Sequence, residues 1–284
     1  MKLLRYGDFR KEKPAVLRPD GKAFDVSSVA RDFDSEFFEG GGLARLKEAV
    51  AKAQLPVVDL QGKRLGAPVA RPYKILGIGL NYADHAKESN MPIPPEPVVF
   101  MKASNTAVGP NDDVLIPRRS EKADWEVELG VVIGKTARYL EDKARALDYV
   151  AGYCVSNDVS ERHFQLERGG SWDKGKSAET FNPLGPWLVT TDEIPDPQTL
   201  GMWLNVNGKR MQTGNTKTMV FDVKHLVWYL SQFMVLEAGD VITTGTPPGV
   251  GLGQKPSPIY LKAGDTMELS IDGLGTQKQI CRQA

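Results

Sequence analysis

Residues 124–134, Asp-Trp-Glu-Val-Glu-Leu-Gly-Val-Val-Ile-Gly, decide how the rest of the chain is interpreted. The run from Trp125 to Ile133 is rich in Val, Ile and Leu, which predicts a β-strand. Side chains two residues apart on a strand point to the same side, so Glu126 and Glu128 project together. Two adjacent carboxylates repel unless a positive charge lies between them, which favours a cation site. A charged solvent face on an edge strand is the alternative.

A third acid, Asp158, opens the segment Asp-Val-Ser-Glu-Arg-His-Phe-Gln at residues 158–165. Together with the two glutamates it would complete an all-oxygen site for a hard divalent cation. Arg162 and Gln165 follow by four and seven residues, so one face of a helix could carry the acid, the guanidinium and the amide. A guanidinium binds a carboxylate through two parallel hydrogen bonds, which suggests an organic acid as substrate. A simple helical ion pair between Asp158 and Arg162 is the alternative.

The composition excludes several classes of partner. The 284 residues include 36 Lys plus Arg and 36 Asp plus Glu, a balance that recruits neither nucleic acid nor an anionic membrane. The N-terminus is charged where a signal peptide is apolar, and no apolar run approaches the roughly 20 residues that span a bilayer. We therefore expect a cytoplasmic protein. Cys154 and Cys281 lie beside apolar residues, which is typical of buried thiols in a reducing compartment.

The sequence pattern changes near residue 70. Residues 1–70 show short strand patterns and one helical pattern at 42–53, which predicts a small N-terminal α+β domain. Residues 71–284 contain mainly strand patterns separated by Gly, Pro and Asn turns. Helical patterns in this part occur at 81–88, 140–144, 160–167 and 223–233. Strands outnumber helices without regular alternation, so the predicted fold class is α+β with a largely β body.

A candidate general base follows an apolar strand pattern. The segment Asn-Tyr-Ala-Asp-His-Ala-Lys-Glu occupies residues 81–88. His85 and Glu88 are three residues apart, so on a helix they share a face, and the carboxylate can orient the imidazole and stabilise its charge. A surface histidine beside a surface glutamate is the alternative. The pair follows a Gly-rich strand end, where active-site loops tend to lie, which favours the catalytic interpretation.

Two lysines and one turn stand in unusual settings. Lys102 ends an apolar strand pattern, and Lys176 lies in a segment rich in Gly and Ser. Either ammonium group could neutralise a carboxylate cluster or an oxyanion, although most lysines do neither. The segment 241–253, Val-Ile-Thr-Thr-Gly-Thr-Pro-Pro-Gly-Val-Gly-Leu-Gly, predicts a strand and a rigid turn whose hydroxyl and N–H groups could cradle an anion. It does not have the Gly-Lys-Ser/Thr ending of a P-loop.

Taken in order, these segments resemble the fumarylacetoacetate hydrolase family over about residues 73–272. The matching motifs are Asn-Tyr-x-x-His-x-x-Glu at 81–88, Phe-Met-Lys at 100–102, Glu-x-Glu-Leu-Gly at 126–130, Asn-Asp-Val-Ser-x-Arg at 157–162, Gly-Lys-Ser at 175–177 and Thr-Gly-Thr-Pro-x-Gly-Val-Gly at 244–251. The resemblance implies a mixed β-roll behind a small N-terminal domain, with the divide at residues 70 and 71, and a homodimer.

The resemblance also implies roles for individual residues. One Mg²⁺ or Mn²⁺ ion per subunit would be bound by Glu126, Glu128 and Asp158, and Lys176 would be a catalytic residue near the ion. The catalytic dyad would be His85 and Glu88. The substrate-binding residues would be Lys102, Arg162, Gln165 and Thr246.

The reaction implied by the resemblance is hydrolysis of the C3–C4 bond of a 2,4-diketo acid. His85, backed by Glu88, would take a proton from water, and the hydroxide would attack the C4 carbonyl. Segments 158–165 and 174–183 look most like the sugar-acid branch, whose members hydrolyse 2,4-diketo-3-deoxy derivatives of L-rhamnonate or L-fuconate to pyruvate and a hydroxy acid such as L-lactate. The alternatives are an acylpyruvate or fumarylpyruvate hydrolase, an oxaloacetate decarboxylase, and a metal-stabilised binding module without activity.

Overall fold

The regular backbone of this protein is mostly β-strand. The computed structural model describes residues 1–52, 55–84 and 92–284. The strands in these ranges are β1 (Lys2–Tyr6), β2 (Lys13–Leu17), β3 (Ala23–Asp25), β4 (Val57–Val58), β5 (Leu65–Gly66), β6 (Ile75–Gly79), β7 (Val98–Lys102), β8 (Ala107–Val108), β9 (Val114–Ile116), β10 (Ala123–Asp124), β11 (Val127–Ile133), β12 (Val150–Asn157), β13 (Ser160–Glu161), β14 (Asn182–Thr190), β15 (Gly201–Val206), β16 (Lys209–Asn215), β17 (Val241–Thr243), β18 (Thr266–Ile271) and β19 (Gly275–Gln283).

The helices are short and few. The α-helices in the described ranges are α1 (Ser35–Glu39), α2 (Gly42–Lys52), α3 (Arg162–Leu166), α4 (Asp173–Lys176) and α5 (Val223–Leu230). Single 3₁₀ segments are Ser104–Thr106, Lys143–Tyr149, Thr216–Thr218 and Gly251–Gly253. Within the described ranges, no helix has the length and apolar character that crossing a bilayer requires.

Strand sequences reflect two environments. β11 and β12 are buried at every position and are mostly apolar, as is typical of strands covered on both faces. β15 and β18 alternate between buried and partly exposed residues, because one face of an antiparallel sheet packs on the core while the other meets solvent. The strand predicted at 125–133 is confirmed as β11, which begins at Val127.

Strand pairing builds one large sheet and one smaller sheet. The 12-stranded sheet has the order β4-β3-β2-β1-β14-β12-β11-β17-β6-β7, with β5 beside β1 and β8 beside β14. The five-stranded sheet has the order β16-β15-β18-β19-β9 and contacts β11, β12 and β14 of the large sheet. β11 and β12 pair antiparallel with Val127 opposite Asn157, and β17 pairs parallel with β6. The centre of the large sheet therefore lies between the smaller sheet and the N-terminal helices.

Apolar side chains fill both faces of this centre. One cluster joins Leu129 of β11 to Leu204 and Leu269 of the smaller sheet. On the opposite face, Phe38 and Leu46 of α1 and α2 belong to a cluster that includes residues of β11, β12 and β14. Complete burial of one leucine side chain contributes about 1.5–3 kcal/mol, so the two clusters fix the central strands and the residues at their ends.

The N-terminal strands belong to the same sheet as the rest of the chain. Lys2 and Leu3 of β1 lie opposite Val189 and Leu188 of β14. The predicted fold class, α+β with a largely β body, is confirmed by the mostly β architecture with few helices. The division into domains 1–70 and 71–284 stays a prediction.

Two helix predictions differ from the structure. The pattern at 160–167 contains a two-residue strand, β13, before α3, because Ser160 and Glu161 pair with β10. The Glu161 carboxylate then accepts a hydrogen bond from the Phe164 N–H and caps the helix. The pattern at 140–144 forms a 3₁₀ segment further along, at Lys143–Tyr149. The pattern at 81–88 extends beyond the described residues.

Candidate active site and metal centre

Three acidic side chains converge at one end of the β11–β12 pair. Glu126 precedes β11, Glu128 lies within it, and Asp158 follows β12. The Asp158 N–H donates to the Glu126 carbonyl over 2.9 Å, which holds the two segments side by side. One carboxylate oxygen from each residue lies within 4.8 Å of the others, and all three residues are buried. The predicted convergence of these acids is confirmed, whereas their role as metal ligands stays a prediction.

Three cationic side chains hold two of the acids. The Lys176 ammonium group donates to Glu126 Oε2 and to Asp158 Oδ2, with 2.7 Å between Nζ and each oxygen. Arg162 Nη2 donates to Glu126 Oε1 over 2.7 Å, and Lys102 Nζ donates to Asp158 Oδ1. All three cations are buried, so their charges are neutralised mainly by these carboxylates. Glu126 and Asp158 each have two cationic partners.

These contacts determine the ionisation of the cluster. Burial alone would raise the pKa of Glu126, but the Lys176 and Arg162 charges outweigh it and hold this pKa far below its ordinary value. Burial would lower the pKa of Lys176, but the Asp158 and Glu126 carboxylates outweigh it and raise this pKa. Burial prevails at Lys102 and lowers its pKa despite the Asp158 charge. Glu126 is therefore a carboxylate and Lys176 an ammonium group at neutral pH.

Glu128 differs from the other two acids because its described partners are neutral. Its Oε2 accepts hydrogen bonds from Thr243 Oγ1 over 2.6 Å and from the Gly245 N–H over 2.8 Å. Burial, followed by repulsion from Asp158 and Glu126, raises the pKa of Glu128 well above its ordinary value. A cation beside this carboxyl group would reverse the shift. Oxygen ligands that carry negative charge are what Mg²⁺ and Mn²⁺ prefer, so the three acids fit the predicted ion.

A cavity of about 380 Å³ opens beside the cluster. Glu126, Glu128, Arg162 and Lys176 line one end of it. The remaining wall is largely apolar and is formed by Ile78, Leu80, Phe100, Leu166, Trp172, Val250 and Leu252. Lys255, which is exposed, also lines the cavity and has no hydrogen bond or ion pair to a described residue. A ligand in this cavity would meet both the charged groups of the cluster and an apolar surface.

The predicted substrate-binding residues differ in what they can offer. The Gln165 carbonyl accepts a hydrogen bond from Arg162 Nη1 over 3.1 Å, and its amide nitrogen has no partner among the described residues. The Thr246 hydroxyl donates to the Val127 carbonyl over 2.9 Å. Both Gln165 and Thr246 line the cavity, as does Arg162. The described cavity lining does not include Lys102, whose hydrogen bonds go to Asp158 and the Val159 carbonyl, so its substrate-binding role stays a prediction.

The position of Asp158 corrects one step of the sequence reasoning. Asp158 was expected to share a helical face with Arg162 and Gln165, but α3 begins only at Arg162. Arg162 instead reaches Asp124 and Glu126, and Lys176 links Glu126 to Asp158. The three polar groups therefore meet through the fold and not along one helix.

Asp124 is a residue of the site that the sequence reasoning did not assign. Its carboxylate accepts hydrogen bonds from Arg162 Nε over 2.8 Å, from the Gly251 N–H over 2.6 Å and from the Leu252 N–H over 2.9 Å. It thereby joins the guanidinium to the turn that forms part of the cavity wall. Its place two residues before Glu126 was the available signal, but a single acid beside a strand does not reveal which distant N–H groups it accepts from.

The turn after β17 was predicted to cradle an anion, and its N–H groups bind carboxylates of the protein itself. Gly245 donates to Glu128, and Gly251 and Leu252 donate to Asp124. The backbone φ of Gly245 is 96°, a left-handed conformation that favours glycine. The predicted dyad of His85 and Glu88 lies outside the described residues and stays a prediction.

The fold and the site together define a mostly β protein with a buried carboxylate cluster, suited to a divalent cation, at the end of a cavity. Residues 74–280 match the model of the family described as fumarylacetoacetate (FAA) hydrolase, C-terminal. The chain belongs to the fumarylacetoacetate hydrolase family.

Relatives and solved structures of this family match the chain over its full length. A "putative hydrolase" of Burkholderia ambifaria strain MC40-6 is 59% identical, and the match covers 100% of both proteins. The structure of a fumarylacetoacetate hydrolase from Exiguobacterium antarcticum has a TM-score of 0.86 at 35% identity, with 100% of both chains covered. A maleylpyruvate hydrolase from Sphingobium sp. SYK-6, solved with a manganese(II) ion and pyruvate, has a TM-score of 0.81 at 28% identity over 100% of both chains.

Proposed function

We propose that this protein is a Mg²⁺- or Mn²⁺-dependent hydrolase that cleaves the C3–C4 bond of a 2,4-diketo acid and releases pyruvate. The observation that carries the proposal is the placement of Glu126, Glu128 and Asp158 within 4.8 Å of one another, beside a cavity lined by Arg162 and Gln165. The similarity to a maleylpyruvate hydrolase that binds manganese and pyruvate supports it. A homodimer and a cytoplasmic location stay predictions from the sequence.

The charge balance of the buried groups supports binding of an anion next to a divalent ion. With Glu128 ionised, as it would be beside a metal ion, the four acidic groups of Asp124, Glu126, Glu128 and Asp158 face three cationic groups, and one negative charge is in excess. Held by the three converging acids, Mg²⁺ or Mn²⁺ would supply Lewis-acid polarisation of the substrate's carboxylate and 2-oxo group. The balance with a divalent ion becomes one positive charge, which suits a 2-oxo acid.

The residues of the chain position the acid end of the substrate. Arg162 donates three of its five N–H groups to Asp124, Glu126 and Gln165, so two N–H groups remain for a ligand. The Gln165 amide offers two further donors from the cavity wall. Because the acceptors Asp124 and Glu126 hold the guanidinium in place, these donors are oriented before the substrate arrives.

Water attack requires a base and a donor for the oxyanion. His85, oriented by Glu88, is the proposed base that takes a proton from water as the C4 carbonyl is attacked. Gln165 is the proposed donor to the resulting alkoxide, since its amide nitrogen is uncommitted among described contacts. Lys176, an ammonium group at neutral pH, keeps Glu126 ionised and holds both Glu126 and Asp158 in place through its hydrogen bonds.

Two substrate assignments within this reaction have different support. The sequence resemblance favours the 2,4-diketo-3-deoxy derivatives of L-rhamnonate or L-fuconate. The apolar wall, which includes Phe100 and Trp172, favours an acyl group with few hydroxyl groups, because each hydroxyl left without a partner there would lose its hydrogen bonds to water. Lys255 near this wall would pair with a carboxylate at the far end of the acyl group. The second candidate is therefore an acylpyruvate of the fumarylpyruvate type.

Pyruvate release from a panel of diketo acids tests both assignments. The Mn²⁺-loaded protein is incubated with 2,4-diketo-3-deoxy-L-rhamnonate, fumarylpyruvate and acetylpyruvate, and kcat/KM is measured for each. The proposed reaction predicts pyruvate from at least one substrate, and the highest kcat/KM assigns the acyl group. Absence of pyruvate from all three, in a protein shown to be folded and loaded with metal, would reject the proposal.

The need for a general base, proposed to be His85, distinguishes diketo-acid hydrolysis from oxaloacetate decarboxylation. Loss of CO₂ from oxaloacetate needs no attack by water, so His85→Ala should abolish hydrolysis of the best diketo acid and leave part of any oxaloacetate decarboxylation. Equal loss of the two activities would count against water activation by His85.

A further inference from the structure

A second cavity, of about 390 Å³, lies between N-terminal segments of the chain and the 3₁₀ segment Ser104–Thr106. Among the described residues, it shares no lining residue with the cavity beside the carboxylate cluster. Four arginines and two carboxylates line it, so its lining has an excess of positive charge. Its position and its charge set it apart from the proposed active site.

Two of the arginines, Arg5 and Arg64, are held in place by hydrogen bonds to carboxylates and backbone carbonyls. Arg5, which is buried, donates to Asp32 through Nε over 2.6 Å and Nη2 over 2.9 Å, and also to Glu12. Arg64 donates to both oxygens of Asp112 and, over 2.8 Å, to Glu12. Each guanidinium also donates to a backbone carbonyl, so four of its five N–H groups are used within the described chain. One N–H group of each arginine is left, and its neighbours prevent the side chain from turning away.

The other two arginines, Arg10 and Arg71, are exposed at the same cavity and have no carboxylate partner among the described residues. Both have a left-handed backbone, with φ of 64° at Arg10 and 46° at Arg71. A side chain other than glycine, asparagine or aspartate is uncommon there, and such positions cluster at ligand sites. Ser104 and Asn105 add neutral donors to the lining, and their side chains have no partner in the described ranges.

We propose that this cavity binds a small anion that carries at least two negative charges, either a dicarboxylate or a phosphate group. Guanidinium groups bind the oxygens of carboxylates and phosphates through paired hydrogen bonds. Arg5 and Arg64, whose side chains are already held in place, each add one N–H group at little entropic cost. The volume admits a small metabolite and no macromolecular segment of any length. The proposal does not depend on the proposed hydrolase function, because it concerns other residues and a different cavity.

Isothermal titration calorimetry on the intact 284-residue, metal-free chain tests the proposal. The probes are inorganic phosphate and succinate, each titrated at constant ionic strength into the unmodified protein, the double variant Arg10→Ala/Arg71→Ala and the control Arg119→Ala. Arg119 is an exposed arginine whose φ is 63°, and it does not line the cavity. The control therefore removes one arginine charge from a left-handed position elsewhere on the surface, against two such charges in the double variant.

The expected result is saturable binding of at least one probe, weakened about tenfold or more in the double variant and less than twofold in the control. Tighter binding of phosphate would assign a phosphorylated ligand, and tighter binding of succinate a dicarboxylate. The proposal is overturned if neither probe binds to the unmodified protein, or if the double variant binds as tightly as the control. Because no metal or turnover is involved, this failure would leave the proposed hydrolysis untouched.

Discussion

The two cavities have similar volumes, about 380 and 390 Å³, but they differ in which described groups have no counter-charge. Beside the first cavity, the buried cations bind Glu126, Asp158 or Asp124, the described partners of Glu128 are neutral, and the exposed Lys255 has no ion pair to a described residue. In the N-terminal cavity the carboxylates are bound to Arg5 and Arg64, and exposed guanidinium groups are left over.

Burial makes this difference important. An uncompensated charge costs several kcal/mol in the interior and little at a surface that water reaches. The carboxylate cluster should therefore respond strongly to loss of a cation or gain of one, whereas the N-terminal cavity should respond only to its ligand.

Removal of the Lys176 charge should produce the largest loss of stability. In Lys176→Met, Glu126 and Asp158 lose a shared buried partner, and breaking such a pair costs about 3–5 kcal/mol. Urea unfolding of the metal-free protein measures the loss. The solvent-accessible pair of Lys122 and Glu167 is the matched control, since water screens this pair and Lys122→Met should change the stability little. Equal effects of the two substitutions would show that the cluster is not electrostatically buried.

Glu128→Gln should weaken Mn²⁺ binding by more than about 100-fold. Loss of residues that merely orient metal ligands costs about 10–100-fold, and a charged ligand should cost more. The substitution preserves the shape and retains an oxygen for the Thr243 and Gly245 donors. Calorimetric titration of Mn²⁺ measures the change, and the stability of the metal-free variant shows whether the fold is intact. An affinity like that of the unmodified protein would remove Glu128 from the ligand set.

Gln165→Leu should lower kcat/KM for the best diketo acid by about 10–100-fold without changing Mn²⁺ affinity. The amide is proposed to donate to a charged substrate oxygen, and a hydrogen bond to a charged group contributes about 1.5–3 kcal/mol. Steady-state kinetics and a metal titration separate the two quantities. If metal affinity fell together with kcat/KM, Gln165 would be a structural neighbour of the cluster and not a residue that holds substrate.

The raised pKa of Glu128 should make the stability of the metal-free protein depend on pH. Its pKa is raised in the folded state, so its contribution to stability is present below the ordinary carboxyl pKa and is lost as pH rises from there towards the folded pKa. Urea unfolding between pH 5 and pH 8 should show this decline, and Glu128→Gln should reduce it. For the same reason, Mn²⁺ affinity should increase with pH over that window, because the ion displaces a proton. If Glu128→Gln left the slope of stability against pH unchanged, the decline would not arise from Glu128.

Lys255→Met should give the smallest effect. Because Lys255 is exposed, its pairing with a distal carboxylate should contribute about 0.2–1 kcal/mol, or up to about fivefold in kcat/KM for fumarylpyruvate. Acetylpyruvate has no distal carboxylate and should be unaffected. Comparison of the two substrates therefore cancels any general effect of the substitution. An equal change for both would remove Lys255 from the specificity argument.

Short-range patterns in the sequence predicted the strands and the pair of glutamates. The Val-rich run gave β11, and the period of two placed Glu126 and Glu128 together. The position of Asp158 depends on the register of β12 against β11, so only the ordered family resemblance could bring it to the same site. Asp124 was missed for a related reason, because its partners Gly251 and Leu252 lie more than 120 residues away along the chain.

The N-terminal cavity left no recognisable pattern in the sequence. Arg5, Glu12, Asp32, Arg64 and Asp112 are scattered along the chain and meet only through tertiary structure. Arginines also occur often at surfaces, so Arg10 and Arg71 gave no signal until their left-handed backbones and the shared cavity were seen. A site can be predicted from sequence when its residues recur at strand or helix spacing, and the residues of the N-terminal cavity do not recur in this way.

Electron paramagnetic resonance of Mn²⁺ titrated into the metal-free protein shows whether the three converging acids bind a divalent ion. Convergence of Glu126, Glu128 and Asp158 predicts one bound ion per chain, with a spectrum that changes when pyruvate is added. The Glu128→Gln variant should leave most of the ion free at the same concentrations. A spectrum of free Mn²⁺ in the presence of excess folded, unmodified protein would contradict the claim.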